Sequence, residues 1–144
     1  MNYIIAGSRS ITYYPLLEAV MRTIKLQDWP TPTKIICGCA IGSDRLGFDW
    51  ARANGIPVEF FPAWSFQSEW AFYVTRKEEI IHECPPSSFG KRAGFVRNGY
   101  MAHEAAKDKP GCCVLLHDGI SKGTLNMKSQ AEEFGLKVFV GAIK

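Results

Sequence analysis

Five short apolar runs divide this chain, at Tyr3 to Ala6, Lys34 to Cys37, Val58 to Phe61, Cys112 to Leu116 and Lys137 to Val140. They are rich in β-branched and aromatic residues, and most show no polar alternation. Parallel strands buried on both faces read this way, because a sheet wetted on one side alternates apolar with polar. Helical patterns lie between the runs. Leu17, Val20, Met21 and Ile24 share one face, and Pro15 suits a first turn, where its missing N–H costs nothing. Leu46, Trp50 and Ala53 repeat at helical spacing until Asn54-Gly55 stops them before Pro57. Val96 and Tyr100 begin a further helix. Met127, Ala131 and Phe134 mark the last, stopped by Gly135. Strand and helix alternate throughout. The pattern predicts an α/β fold, a Rossmann-like doubly wound parallel sheet of about five strands with helices on both faces.

A length of 144 residues suits one domain over 1–144. The net charge of +3 is a weak signal for nucleic acid, which usually draws a stronger and clustered basic excess. No apolar run approaches membrane-spanning length, and "NYIIAGSRS" carries no leader pattern, so no membrane partner is expected and the cytoplasm is the default location. The cysteines are Cys37, Cys39, Cys84, Cys112 and Cys113. Their C-x-C and C-C spacings lack the C-x-x-C pair of a zinc site. Buried reduced thiols are expected, with no metal and no cofactor.

In a doubly wound sheet, ligands sit at the carboxyl ends of the strands, near the switch in strand order. Three strand ends here carry glycine with small hydroxyl residues: "GSRS" (Gly7 to Ser10), "GCAIGSDR" (Gly38 to Arg45) and "HDGISKGT" (His117 to Thr124). Glycine lets backbone N–H groups approach a ligand, a helix N-terminus adds partial positive charge, and Ser8, Ser43 and Thr124 offer hydroxyls. Any one such loop is explained by turn geometry and capping. Three at one sheet edge point to an anion cradle. None matches G-x-G-x-x-G or the Walker pattern.

"AGSRS", "GCAIGSDRLGFDWARANGIPVEFFPA", "GKRAGFVRNGYMA" and "SKGTLNMKSQAEEFGLKVFV" resemble, in that order, the YspA-like branch of the SLOG superfamily. That superfamily includes the LOG (lonely guy) phosphoribohydrolases and the DNA-processing protein DprA. The resemblance implies a Rossmann-like domain that binds a nucleotide-derived ligand and pairs into a homodimer or higher homo-oligomer. It places Gly7, Ser8 and Arg9 in the first loop, and Gly38, Gly42, Ser43 and Asp44 in a G-G-x-x-G-[AS]-D loop. In that second loop Cys39 replaces a glycine, and Ile41 stands where arginine is common. Arg97 and Asn98 match an R-N pair, and Gly123 and Thr124 a G-T pair. LOG relatives carry a catalytic glutamate three residues after that threonine; here the position is Met127. The stretch at about 65–88 is an insertion relative to the family, helical in composition and rich in aromatics. A lid, a dimer contact and a satellite core are its three possible uses.

Asp44 and Arg97 are the candidate catalytic residues. Asp44 reads as a first-turn acid or as a carboxylate for ribose hydroxyls or a water. Arg97 offers a planar fork for phosphate, or a structural ion pair. The candidate ligand-binding residues are Gly7, Ser8, Arg9, Gly38, Gly42, Ser43, Asn98, His117, Gly119, Gly123 and Thr124. Asn98 reads a base edge or caps its helix. His117 and Asp118 bring acid–base groups to the same edge, although sequence neighbours project in different directions. Arg45 and Glu104 are expected at the surface. Three functions remain open: a binder of a small phosphorylated nucleoside derivative, a nucleotide N-glycosidase that needs a carboxylate near the anomeric carbon, and a DprA-like binder of single-stranded DNA.

Overall fold

The computed structural model describes residues 1–63, 70, 80–81 and 92–142. Among these, six strands form one parallel sheet. They are β1 (Asn2–Gly7), β2 (Lys34–Cys37), β3 (Val58–Phe60), β4 (Ile80–Ile81), β5 (Cys112–His117) and β6 (Lys137–Ala142). Four helices accompany them: α1 (Tyr14–Leu26), α2 (Ser43–Ala53), α3 (Ala93–Ala105) and α4 (Lys122–Glu133). The strand order is β4-β3-β2-β1-β5-β6. All five apolar runs form strands. The sixth, β4, pairs Ile80 and Ile81 with Glu59 and Phe60 at the sheet edge. The helical insertion expected over 65–88 lies outside the described residues, apart from Trp70 and this short strand.

Burial on both faces explains the unbroken apolar runs. Tyr3 and Ile5 of β1 enter a core with Leu17, Val20, Met21 and Ile24 of α1 and Leu46, Phe48 and Ala51 of α2. Ile4 and Ala6 point the other way, to Met101, Ala102 and Ala105 of α3 and Met127 and Ala131 of α4. The α1 stripe is the one its periodicity predicts. On α2 the buried stripe runs instead through Leu46, Gly47, Phe48 and Ala51, while Ala53 is exposed. Gly47 permits that shift, since a Cβ there would lie 2.7 Å from the Ile5 side chain. On α3 the expected apolar face is also turned: Tyr100 is exposed, and the helix buries Arg97, Asn98 and Glu104 among small residues. Glu104, expected at the surface, is only 8% exposed and pairs with Lys107 at 2.9 Å.

The chain walks outward from β1 through β2 and β3 with α1 and α2 over one face. It then returns under α3 to β5 and continues through α4 to β6. Strand order therefore reverses between β1 and β5. The helices that follow these two strands leave to opposite faces, which opens a crevice at their carboxyl ends. No helix among the described residues is long and apolar enough to cross a membrane.

Candidate functional site

The crevice holds a cavity of about 510 Å³, within the range of small-molecule sites. Ala6, Gly7, Arg9 and Ser10 line it from the end of β1, and Ala40 and Asp44 from the β2 loop. Helix α3 contributes Gly94, Phe95, Arg97, Asn98 and Met101. Asp118, Ile120 and Ser121 come from the β5 loop, and Gly123, Thr124 and Met127 from α4. The structure thus brings Gly7, Arg9, Asp44, Arg97, Asn98, Gly123 and Thr124 of the expected set to one cavity.

Asp44 and Arg97 form its buried floor, 5% and 9% exposed. Both flank Gly38 without an ion-pair contact to each other: a Cβ on that glycine would sit 2.8 Å from Asp44 Oδ2 and 2.9 Å from Arg97 Nη1. Asp44 Oδ2 also accepts the Ala40 N–H at 3.0 Å. Burial pushes the Asp44 carboxyl above its ordinary pKa; the Arg97 guanidinium, the Ala40 N–H and the Arg9 guanidinium oppose it, in that order. Arg97 is held on several sides. Nη1 donates to the Gly38 carbonyl and to that of Phe61, and Nε donates to Asn98 Oδ1 at 3.1 Å. Asn98 in turn donates to Asn126 Oδ1 at 3.0 Å and to the Gly123 carbonyl at 3.4 Å.

The β5 loop is organised by its own acid. Asp118 Oδ1 accepts the N–H groups of Ile120 at 2.9 Å and Ser121 at 3.0 Å, and Oδ2 accepts the Ser10 hydroxyl at 2.7 Å. These bonds, that to Ile120 first, hold its carboxyl down at about pKa 2. Ser121 then caps α4, its Oγ accepting the Thr124 N–H at 3.2 Å. The first-turn N–H groups of Lys122 and Gly123 have no intrahelical acceptor in such a geometry.

Six expected residues do not line the cavity. Ser8 is fully buried, and its Oγ accepts the Asp118 N–H at 3.0 Å and lies 3.4 Å from Thr124 Oγ1. Ser43 is turned inward, its Oγ and N–H both donating to the Ser8 carbonyl at 2.8 and 3.2 Å. Gly38 leaves room for the Asp44 and Arg97 side chains. Gly42, at φ 73°, is pressed against Arg9, whose carbonyl oxygen a Cβ would approach to 2.3 Å. Gly119 is an exposed turn residue. His117 ends β5 half-buried, its Nε2 enclosed without a hydrogen-bond partner among the described residues.

Comparison with protein-family models, curated proteins and solved structures returns no match to this chain. Ser10, Ala40, Phe95, Ile120, Ser121 and Met127 join the site without having been singled out for it. Only some left a sequence signal. Asp118-Gly-x-Ser121 has the composition of an Asx turn running into an N-cap, which marks the loop as self-bonded. Phe95 and Ile120 have no periodic partner to betray them.

The β2 loop carries two further features. Cys39 sits at φ 68°, a conformation that suits glycine and costs a side-chain-bearing residue about 1–2 kcal/mol. Cys37, Cys39, Cys112 and Cys113 are buried and unbridged, and no metal-binding cluster occurs among the described residues. Contact with Cys39, then burial, raises the Cys37 thiol. Trp70 steadies the loop from outside, donating to the Ala40 carbonyl at 3.1 Å and packing at a tilt against Phe48 with ring centroids 5.1 Å apart, with Arg45 over its ring at 5.3 Å. Arg45 itself is half exposed and pairs with Asp49 at 3.5 Å. Trp70→Ala is expected to destabilise the fold toward the lower end of ~3–5 kcal/mol. Trp70→Phe, which keeps a ring and loses the hydrogen bond, should cost about 1 kcal/mol. Urea denaturation separates the two.

Proposed function

We propose that this protein binds a phosphorylated nucleoside in the cavity between β1 and β5. The observation that carries the reading is the buried Asp44–Arg97 floor beside the first turn of α4. In this reading the phosphate takes the Lys122 and Gly123 N–H groups, where the helix dipole favours an anion, with Arg9 as its counter-charge. Asp44 accepts hydrogen bonds from ribose hydroxyls, and the nearby Arg97 charge offsets the burial of that carboxylate. The likeness of the loop sequences to SLOG domains supports the same assignment, including a homo-oligomer as the working assembly.

Binding without cleavage is the primary reading, since Met127 stands where LOG relatives carry their glutamate and is itself buried at the cavity wall. One observation favours the hydrolytic alternative. Two carboxylates border the cavity in opposite environments, Asp44 shifted up and Asp118 shifted down, the division of labour that acid–base chemistry uses. An N-glycosidase here would rely on Asp44.

A thermal-shift panel tests these readings. Nucleoside monophosphates should raise the melting temperature, by an amount that corresponds to about 2.7 kcal/mol at a hundredfold excess over Kd. Asp44→Asn should reduce that shift at equal ligand concentration. Release of free base that disappears in Asp44→Asn would establish the hydrolase. No shift with any nucleotide, together with binding of single-stranded DNA, would replace both with the DprA-like reading.

A further inference from the structure

Two large apolar residues stand exposed at the border of the cavity. Phe95 lies in the first turn of α3 and is 43% exposed; Ile120, in the β5 loop, is 83% exposed. The other large apolar residues that line the cavity, Met101 and Met127, are at most 2% exposed. Neither border residue hangs on a loose segment. Phe95 precedes by two residues the Arg97 side chain that is fastened to Gly38, Phe61 and Asn98. Ile120 has its backbone N–H fixed by Asp118 Oδ1. Both side chains are thus presented to solvent on fixed backbone at the edge of a binding site. Apolar surface left exposed among the described residues gains most from contact with a flat apolar ligand.

The polar groups nearby narrow what that ligand contact is. Asn98, the one side-chain amide among the described residues that line the cavity, has its carbonyl oxygen on Arg97 and its NH₂ on Asn126 and Gly123. The Asp118 carboxylate is taken up by Ser10, Ile120 and Ser121. Asn98 and Asp118 therefore have little hydrogen-bonding capacity left for a base edge. Building on the nucleotide reading above, we infer that Phe95 and Ile120 form a nucleobase subsite that grips the ring by its faces and does not read its edge. The ligand class is then a purine nucleotide with little discrimination between adenine and guanine, because every base offers a π-face and the larger ring offers more of it.

Calorimetric titration of the full chain with AMP, GMP, adenosine and ribose 5-phosphate tests this. AMP and GMP should bind within a few-fold of each other, and ribose 5-phosphate roughly 5- to 150-fold more weakly. Phe95→Ala should erase most of that gap by weakening AMP and GMP while leaving ribose 5-phosphate unchanged. Phe95→Trp should retain it, and Ile120→Ser should narrow it. Equal losses for AMP and ribose 5-phosphate in Phe95→Ala, or a preference above a hundredfold between AMP and GMP, would overturn the subsite while the phosphate reading stands. Adenosine bound as tightly as AMP, with its affinity lost in Phe95→Ala, would keep the subsite and remove the phosphate. Failure of all four ligands to bind overturns both.

Discussion

Arg97→Met should lower stability at neutral pH by about 1–3 kcal/mol, because the buried Asp44 carboxylate loses the nearby charge that most offsets its burial. The stranded group is Asp44, 5% exposed, with the Ala40 N–H as its nearest remaining support. The loss should shrink on acidification. Asp44 already has its folded-state pKa above the ordinary 3.8. Between those two values the folded chain holds more protons than the unfolded one, so stability falls as pH rises through the window. Without Arg97, the largest influence opposing burial disappears and the window extends upward. Chemical denaturation of Arg97→Met should therefore show stability recovering as pH falls from 7 toward 4. In the double variant Asp44→Asn, Arg97→Met that pH dependence should vanish. A pH-independent loss in the single variant would mean that Arg97 contributes packing and backbone hydrogen bonds, and not charge compensation.

Gly7→Ala is expected to be more damaging still, above about 4 kcal/mol, the rare end of single substitutions. Gly7 sits at φ 145°, and an added Cβ would lie 2.1 Å from the Leu116 carbonyl oxygen and 2.7 Å from the Leu116 nitrogen. Both atoms belong to the backbone of the neighbouring central strand, so no rotamer change relieves the contact. The same carbonyl accepts the Ser8 N–H at 2.8 Å, a bond that separation of β1 from β5 would lose. Failure to give a cooperative melting transition is the expected result. A stable Gly7→Ala protein that melts normally would show that the ends of β1 and β5 can part cheaply.

The fold was legible because the physics of the strands is local. A run such as Ile35-Ile36-Cys37 has water on neither side, so it need not alternate. The site was legible to the level of which loops converge, because doubly wound connectivity carries the ends of β1, β2 and β5 to one edge. The role of each residue was not. Ser8 and Ser43 read as ligand hydroxyls, yet both turn inward to join loops that are distant in sequence. The α3 stripe misleads for a related reason. That helix spends its inner face on Arg97 and Asn98, so Tyr100 is left outside and apolar periodicity points the wrong way. Hydrogen-bond partners 35 to 116 residues apart, such as Ser43 with Ser8 and Ser8 with Thr124, leave no trace in a local pattern.

Ser8 is the meeting point of three loops. Its carbonyl holds Ser43 of the β2 loop, its hydroxyl holds the Asp118 N–H, and the same hydroxyl approaches Thr124 at the start of α4. If the proposed ligand binds here, these links would leave little loop ordering to be done at binding, so that the entropy cost falls on folding instead. The ligand's affinity should accordingly depend on fit and desolvation, with little heat-capacity change from loop rearrangement.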